Sequence, residues 1–143
     1  MRFSDAIGRK VVGTATAETV GKVDGFVVDP RSRAVLAVEV KKSHGGDTLA
    51  WSDITAFGAD AVIVTDSDKL TDAGDAVAAL SGKDHHLVGK RVLSTTGDEL
   101  GKVEDIEFDP ESGTLTTLLL ADTEVAGSSL VGVGSYAVVV RAE

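Results

Sequence analysis

The sequence predicts an all-β protein: two small antiparallel β-barrels in tandem, joined by a linker that holds a short helix. The first observation behind this is a repeat. Val20-Gly21-Lys22-Val23-Asp24-Gly25-Phe26-Val27-Val28-Asp29-Pro30-Arg31-Ser32 returns as Leu100-Gly101-Lys102-Val103-Glu104-Asp105-Ile106-Glu107-Phe108-Asp109-Pro110-Glu111-Ser112, which marks the duplication of one folded module, not a stacked solenoid unit. Second, apolar and β-branched residues come in short runs punctuated by turn signals, with little helical periodicity. Third, the stretch from Asp66 to His86 breaks that pattern. The expected organisation is a first module over residues 1–66, a linker over 67–85 and a second module over 86–143.

In copy one the pattern places strands at Arg9 to Thr14, Val20 to Asp29, Ala34 to Lys41, Thr48 to Trp51 and Ala61 to Thr65. In copy two it places them at Arg91 to Ser94, Leu100 to Asp109, Thr114 to Ala121, Ser129 to Val131 and Ala137 to Arg141. Short strands at such spacing suit a small barrel. Turn chemistry fits the joints: Thr95-Thr96-Gly97-Asp98 supplies a glycine for a tight hairpin, and Asp109-Pro110-Glu111-Ser112-Gly113 sets Asp, Pro and Gly where such a turn uses them. Copy one keeps Asp29-Pro30 but has Arg33 in place of the final glycine, so that turn either carries a steric cost or changes type. Alternation puts Phe26, Val28, Ile106 and Phe108 inward and Asp105 and Glu107 outward into solvent. Val23 and Val103 fall on the outer parity, which predicts a bulge or strong twist beside Gly21-Lys22 and Gly101-Lys102. In the linker, Thr71 to Ser81 reads as the short helix, with Asp72 and Asp75 near its start and Gly82 just beyond its end.

Composition excludes several classes. The chain has 143 residues and a formal net charge of -9, from 23 acidic and 14 basic residues. Clustered cations are lacking, so no nucleic acid is expected as a partner. There is no apolar stretch of membrane-spanning length, no cysteine for disulfides or thiolate chemistry, and no secretory leader pattern at Met1 to Gly8. A cytoplasmic protein with no membrane insertion is expected. Modules of this size bury only roughly 60% of their unfolded surface, so the two copies are expected to share an interface about a pseudo-twofold axis.

No catalytic, cofactor or metal site is expected. His44, His85 and His86 are the only histidines, and adjacent His85 and His86 point to opposite sides in an extended chain. Asp66-Ser67-Asp68 begins like a calcium loop, but Thr71 stands where the turn glycine belongs. Gly132-Val133-Gly134 lacks the rest of a dinucleotide fingerprint, and no G-x-S-x-G elbow occurs. The carboxylate pair Glu104 and Asp105 reads as an outer strand face, not an acid/base dyad.

Apolar residues at outward positions carry more information. Alternation assigns Leu118 and Leu120, with Leu36, to the core parity and leaves Leu115 and Leu119 on the opposite face; Glu39 is the copy-one equivalent of Leu119. Leu115 and Leu119 either seal the interface between the barrels or bind another protein or a second copy of this chain. Val27 and Trp51 are the remaining interface candidates.

At Gly8-Arg9-Lys10-Val11-Val12, Val20-Gly21-Lys22-Val23, Asp29-Pro30 and Leu49-Ala50-Trp51-Ser52-Asp53-Ile54, and again at Val88-Gly89-Lys90-Arg91-Val92, Leu100-Gly101-Lys102-Val103 and Asp109-Pro110-Glu111-Ser112-Gly113, the chain resembles the PRC-barrel family. That family takes its name from the photosynthetic reaction-centre H subunit and includes the carboxy-terminal domain of a bacterial ribosome-maturation factor. Copy two departs from the pattern after Leu120, where nothing resembles Trp51-Ser52-Asp53-Ile54. The resemblance implies a non-catalytic module for protein contacts and assembly, hence an adaptor. The ribosome-maturation relative suggests an alternative RNA-associated role, for which Lys22, Arg31, Arg33, Lys41, Lys42 and Lys102 would be the donors. A small-ligand protein or enzyme would require an enclosed pocket with converging polar groups.

Overall fold

The computed structural model describes residues 1–41, 47–65, 70 and 86–142. Copy one starts with one helical turn, α1 (Phe3–Ala6). It continues through β1 (Lys10–Gly13), β2 (Glu18–Asp29), β3 (Ala34–Lys41), β4 (Thr48–Ala50), a 3-10 turn at Trp51–Asp53, β5 (Ala56–Phe57) and β6 (Ala61–Val64). Copy two repeats the series as β7 (Arg91–Ser94), β8 (Glu99–Phe108), β9 (Leu115–Leu120), β10 (Glu124–Ala126), a 3-10 turn at Gly127–Ser129, β11 (Leu130–Val133) and β12 (Ala137–Val140). The helix expected over Thr71 to Ser81 lies outside the described residues. Among the described residues no helix is long and apolar enough to cross a membrane.

Each copy forms one six-stranded sheet, in the orders β4-β3-β2-β1-β6-β5 and β10-β9-β8-β7-β12-β11. The expectation of purely antiparallel barrels is corrected at one place in each: β1 pairs with β6, and β7 with β12, in parallel. After the 3-10 turn the chain crosses to the other edge of the sheet and turns back through β5 and β6, or β11 and β12, so the final strand runs the same way as the first. Two-residue β5 and three-residue β10 are too short for a period-2 signal to register.

Bulges decide which residues reach the core. The ladder shifts between Val23 and Gly25, and between Val103 and Asp105, leaving Asp24 and Glu104 as the extra residues. Val23 and Val103 are thereby turned inward and buried. A second shift corrects the assignment on the third strands. Phe108 pairs with Leu115 and Glu107 with Thr117, so Thr116 is the bulged residue; in copy one Val28 pairs with Val35 and Val27 with Ala37, so Leu36 is. Leu115 is therefore a core residue, 2% exposed, and Leu36 is only half-buried, because one inserted residue reverses the side-chain parity beyond it.

The copies join through the beginnings of β3 and β9. Ala34 and Thr114 form an antiparallel bridge, flanked by Val35 N–H to Gly113 O at 2.8 Å and Leu115 N–H to Arg33 O at 2.9 Å. Arg33 and Gly113 are equivalent residues, as are Val35 and Leu115. Exchanging the copies therefore maps one bond onto the other, the signature of a local twofold. A single apolar cluster runs through this joint and contains buried side chains of both copies, among them Val23, Phe26, Val35, Val103, Phe108 and Leu115.

Side chains at the joint break the symmetry in a complementary way. Arg33 keeps the turn type of its counterpart: its φ is +56° against +80° at Gly113, and both N–H groups bond back to the turn Asp, to Asp29 O at 2.8 Å and Asp109 O at 2.7 Å. Left-handed backbone at a non-glycine residue costs about 1–2 kcal/mol. In return the Arg33 side chain reaches across the joint, with Nε donating to Leu130 O at 2.8 Å, and a charged donor of this kind contributes about 1.5–3 kcal/mol. On the other side Gly113 leaves room for Trp51: a Cβ there would lie 2.9 Å from Trp51 Cε2. The counterpart of Trp51 is Gly127, where a Cβ would lie 2.2 Å from Leu115 O.

Gly113→Ala therefore meets both left-handed backbone strain, about 1–2 kcal/mol, and overpacking against Trp51, about 1–3 kcal/mol. Urea denaturation followed by circular dichroism should show a loss of about 2–5 kcal/mol, of which only about 1–2 kcal/mol remains in a Trp51→Ala background. An equal penalty in both backgrounds would contradict the Trp51–Gly113 contact.

Candidate functional site

The amino-terminal segment of copy one is docked on β8 of copy two. Arg2 forms a β-bridge with Glu107, and its Nε lies 3.6 Å from Glu107 Oε1. Phe108 N–H donates to Met1 O at 2.8 Å, while the Met1 ammonium donates to Phe108 O at 3.1 Å. Ser4 donates its N–H to Asp105 Oδ1 at 3.2 Å and its hydroxyl to Asp105 Oδ2. Asp105 and Glu107, expected on a solvated face, are instead half-buried anchors for this segment. Alternation identified their face correctly but could not show that the chain's own beginning covers it.

Docking carries Phe3 into an aromatic cluster. Its ring stacks on Phe26 at 4.0 Å and meets Phe108 edge-on at 5.5 Å; Phe57 and Trp51 contact Phe108 at 5.4 and 6.2 Å. Phe108 is the member contributed by copy two, and it touches every other member of the cluster.

Beside this cluster, between the copies, lies a groove of about 460 Å³. Phe3, Phe26, Val28 and Leu87 line its apolar part, and Ile7 and Val88 stand beside them. Ile7 and Val88 are equivalent residues: each precedes a glycine, Gly8 or Gly89, whose N–H bonds to Val23 O or Val103 O at 2.8 Å. They are 44% and 48% exposed, so each copy leaves one large aliphatic side chain open to solvent at the groove. Asp24 and Glu104, the bulged residues of β2 and β8, add one carboxylate from each copy. Asp24 Oδ1 lies 3.7 Å from Lys41 Nζ; Glu104 has no ion pair among the described residues. The groove thus repeats one apolar and one acidic element from each copy.

Glu39 stands next to it. Its Oε1 would be 3.0 Å from a Cβ at Gly25, a groove residue, and lies 3.8 Å from His86 Nε2. Burial pushes the Glu39 carboxyl above its ordinary range; His86 opposes that shift, and Asp24 and Asp47 add to it. His86, expected at a solvated linker end, is half exposed and lines the groove. His44 and His85 lie outside the described residues.

None of the four interface candidates from the sequence lines this groove. Leu115 is buried at the joint, and Trp51 bridges Phe57, Phe108 and Gly113. Val27 is 1% exposed and pairs with buried Ala37, so it offers no free surface. Leu119 is half-buried between Asp105 on β8 and Glu124 on β10. Differences between the copies do not point to the groove, because Ile7 and Val88, and Asp24 and Glu104, are places where the copies agree in kind.

The shifted Glu39 carboxyl has a consequence for stability. A carboxyl whose folded pKa exceeds the unfolded value of 4.5 stabilises the fold when protonated, and this contribution is lost as pH rises through the folded value. Relative to Glu39→Gln, the native chain should lose urea resistance as pH rises from below 4.5 to neutrality, the two coinciding at the acidic end. Parallel stability curves across that range would contradict the assignment.

No curated protein matches the chain. The family model of the PRC-barrel domain matches residues 1–71 and again residues 82–142. Each match spans one six-stranded sheet with its bulged second and third strands, and together they take in most of the sequence. The chain belongs to the PRC-barrel domain family, as two tandem copies.

Proposed function

We propose that this protein is a non-catalytic interaction module whose ligand is another protein. The observation that carries the reading is the use made of polar groups. Those that converge near the joint, namely Ser4, Asp105, Arg33 and Glu107, are engaged in holding the two copies together, leaving an open apolar groove whose rim is acidic. Protein surfaces with a contiguous apolar patch inside a polar rim are characteristic of contact sites. An RNA-associated role is less well supported: of its candidate donors Arg33 is committed to Leu130 O and Lys41 lies beside Asp24, and the chain carries a net charge of -9.

Affinity capture with the intact chain from a native extract, with and without nuclease, separates these readings. A partner protein retained in fixed ratio after nuclease treatment is the expected result. Retention of nucleic acid alone, or of a small molecule that is chemically turned over, would overturn it.

A further inference from the structure

We infer that the groove between the copies binds an apolar peptide segment that also carries lysine or arginine; this rests on the protein-interaction reading and specifies the ligand's chemistry. Each copy contributes the same two kinds of side chain to the groove. Ile7 and Val88 supply an exposed aliphatic side chain from each copy, and the bulges at Asp24 and Glu104 turn one carboxylate from each copy outward beside them. A groove that presents apolar side chains together with one carboxylate from each copy is complementary to an apolar segment that also carries cations.

The other charged groups at the groove sharpen this. Asp105 is occupied by Ser4, Asp24 has Lys41 beside it at 3.7 Å, with both side chains about half exposed, and His86 faces Glu39 at 3.8 Å. Glu104, exposed and without an ion pair among the described residues, is the carboxylate open to an incoming cation. Lys41 can be displaced by a competing cation because an exposed pair contributes only a small free energy. The apolar side chains give the site its adhesion, and the carboxylates set which sequences approach and in what charge pattern.

The test uses the intact chain and three short synthetic peptides: a central isoleucine–phenylalanine pair flanked on each side by a lysine pair; the same peptide with glutamate replacing lysine; and the lysine peptide with serine replacing the central pair. Fluorescence anisotropy should give saturable binding for the first and at least tenfold weaker binding for the other two. Amide shifts in the complex should cluster at Ile7, Gly25, Val88 and Glu104. Val88→Ser and Ile7→Ser, both at exposed positions, should each weaken binding about tenfold, and Glu104→Lys several-fold, with unchanged circular dichroism. Equal binding of the lysine–serine peptide, shifts mapping elsewhere, or indifference to Val88→Ser would overturn the inference. So would concentration-dependent self-association that buries Ile7 and Val88. A protein partner captured from extract but insensitive to Val88→Ser would overturn this inference while leaving the interaction reading intact.

Discussion

The fold depends on a core that neither copy owns. Phe108 of copy two sits among Phe3, Phe26, Phe57 and Trp51 of copy one, and the surrounding apolar cluster is continuous across both sheets. A six-stranded module of this size has too little interior to exclude water well by itself. Joining two modules at Ala34 and Thr114 merges their interiors into one apolar cluster and satisfies backbone donors that would otherwise sit at the turn ends. The aromatic side chains lie where the sheets meet, so their burial and the joining of the copies are one event. The groove follows from the same geometry, because Phe3, Phe26 and Leu87 line it and the joined copies bring the equivalent Ile7 and Val88 to it.

On this nearly symmetric frame the chain has become two different halves. Trp51 fits over Gly113, and Arg33 reaches Leu130 beyond the turn that begins at Gly127. A large side chain in one copy thus meets a glycine in the other. Two identical copies of the first half would bring Trp51 against an arginine turn, and two of the second would face glycine with glycine. The pairing is specified within one chain by fit as well as by tethering, which raises the effective concentration of one half for the other.

Much of this architecture can be read from the sequence. The repeat and the Asp29-Pro30 and Asp109-Pro110 corners locate the module, and the limits of β3 and β7 agree with the apolar runs at Ala34 to Lys41 and Arg91 to Ser94. Alternation along β2 and β8 gives the inward residues, and the stranded parity of Val23 and Val103 already implies a bulge. What escaped is non-local. The bulges at Leu36 and Thr116 leave no mark in composition, so simple alternation assigns Leu115 to the outer face. Parallel closure of β6 on β1 depends on where the chain goes after a 3-10 turn. The docking of Met1 to Ser4 on β8, which anchors Phe3, is visible only once the two copies are placed together. Of the site, the acidic pair Glu104 and Asp105 reads from the sequence as one outer strand face, yet its members separate: Asp105 holds Ser4 and Glu104 lines the groove.

The central claim is that both copies fold around one shared core, and Phe108→Ala tests it most directly. Native-state hydrogen exchange on the intact variant, read separately for β2 and β8, reports the stability of each copy. The shared core predicts that removing this one ring from copy two lowers protection in both strands together, by about 3–5 kcal/mol. A loss confined to β8, with β2 of copy one protected as before, would contradict it.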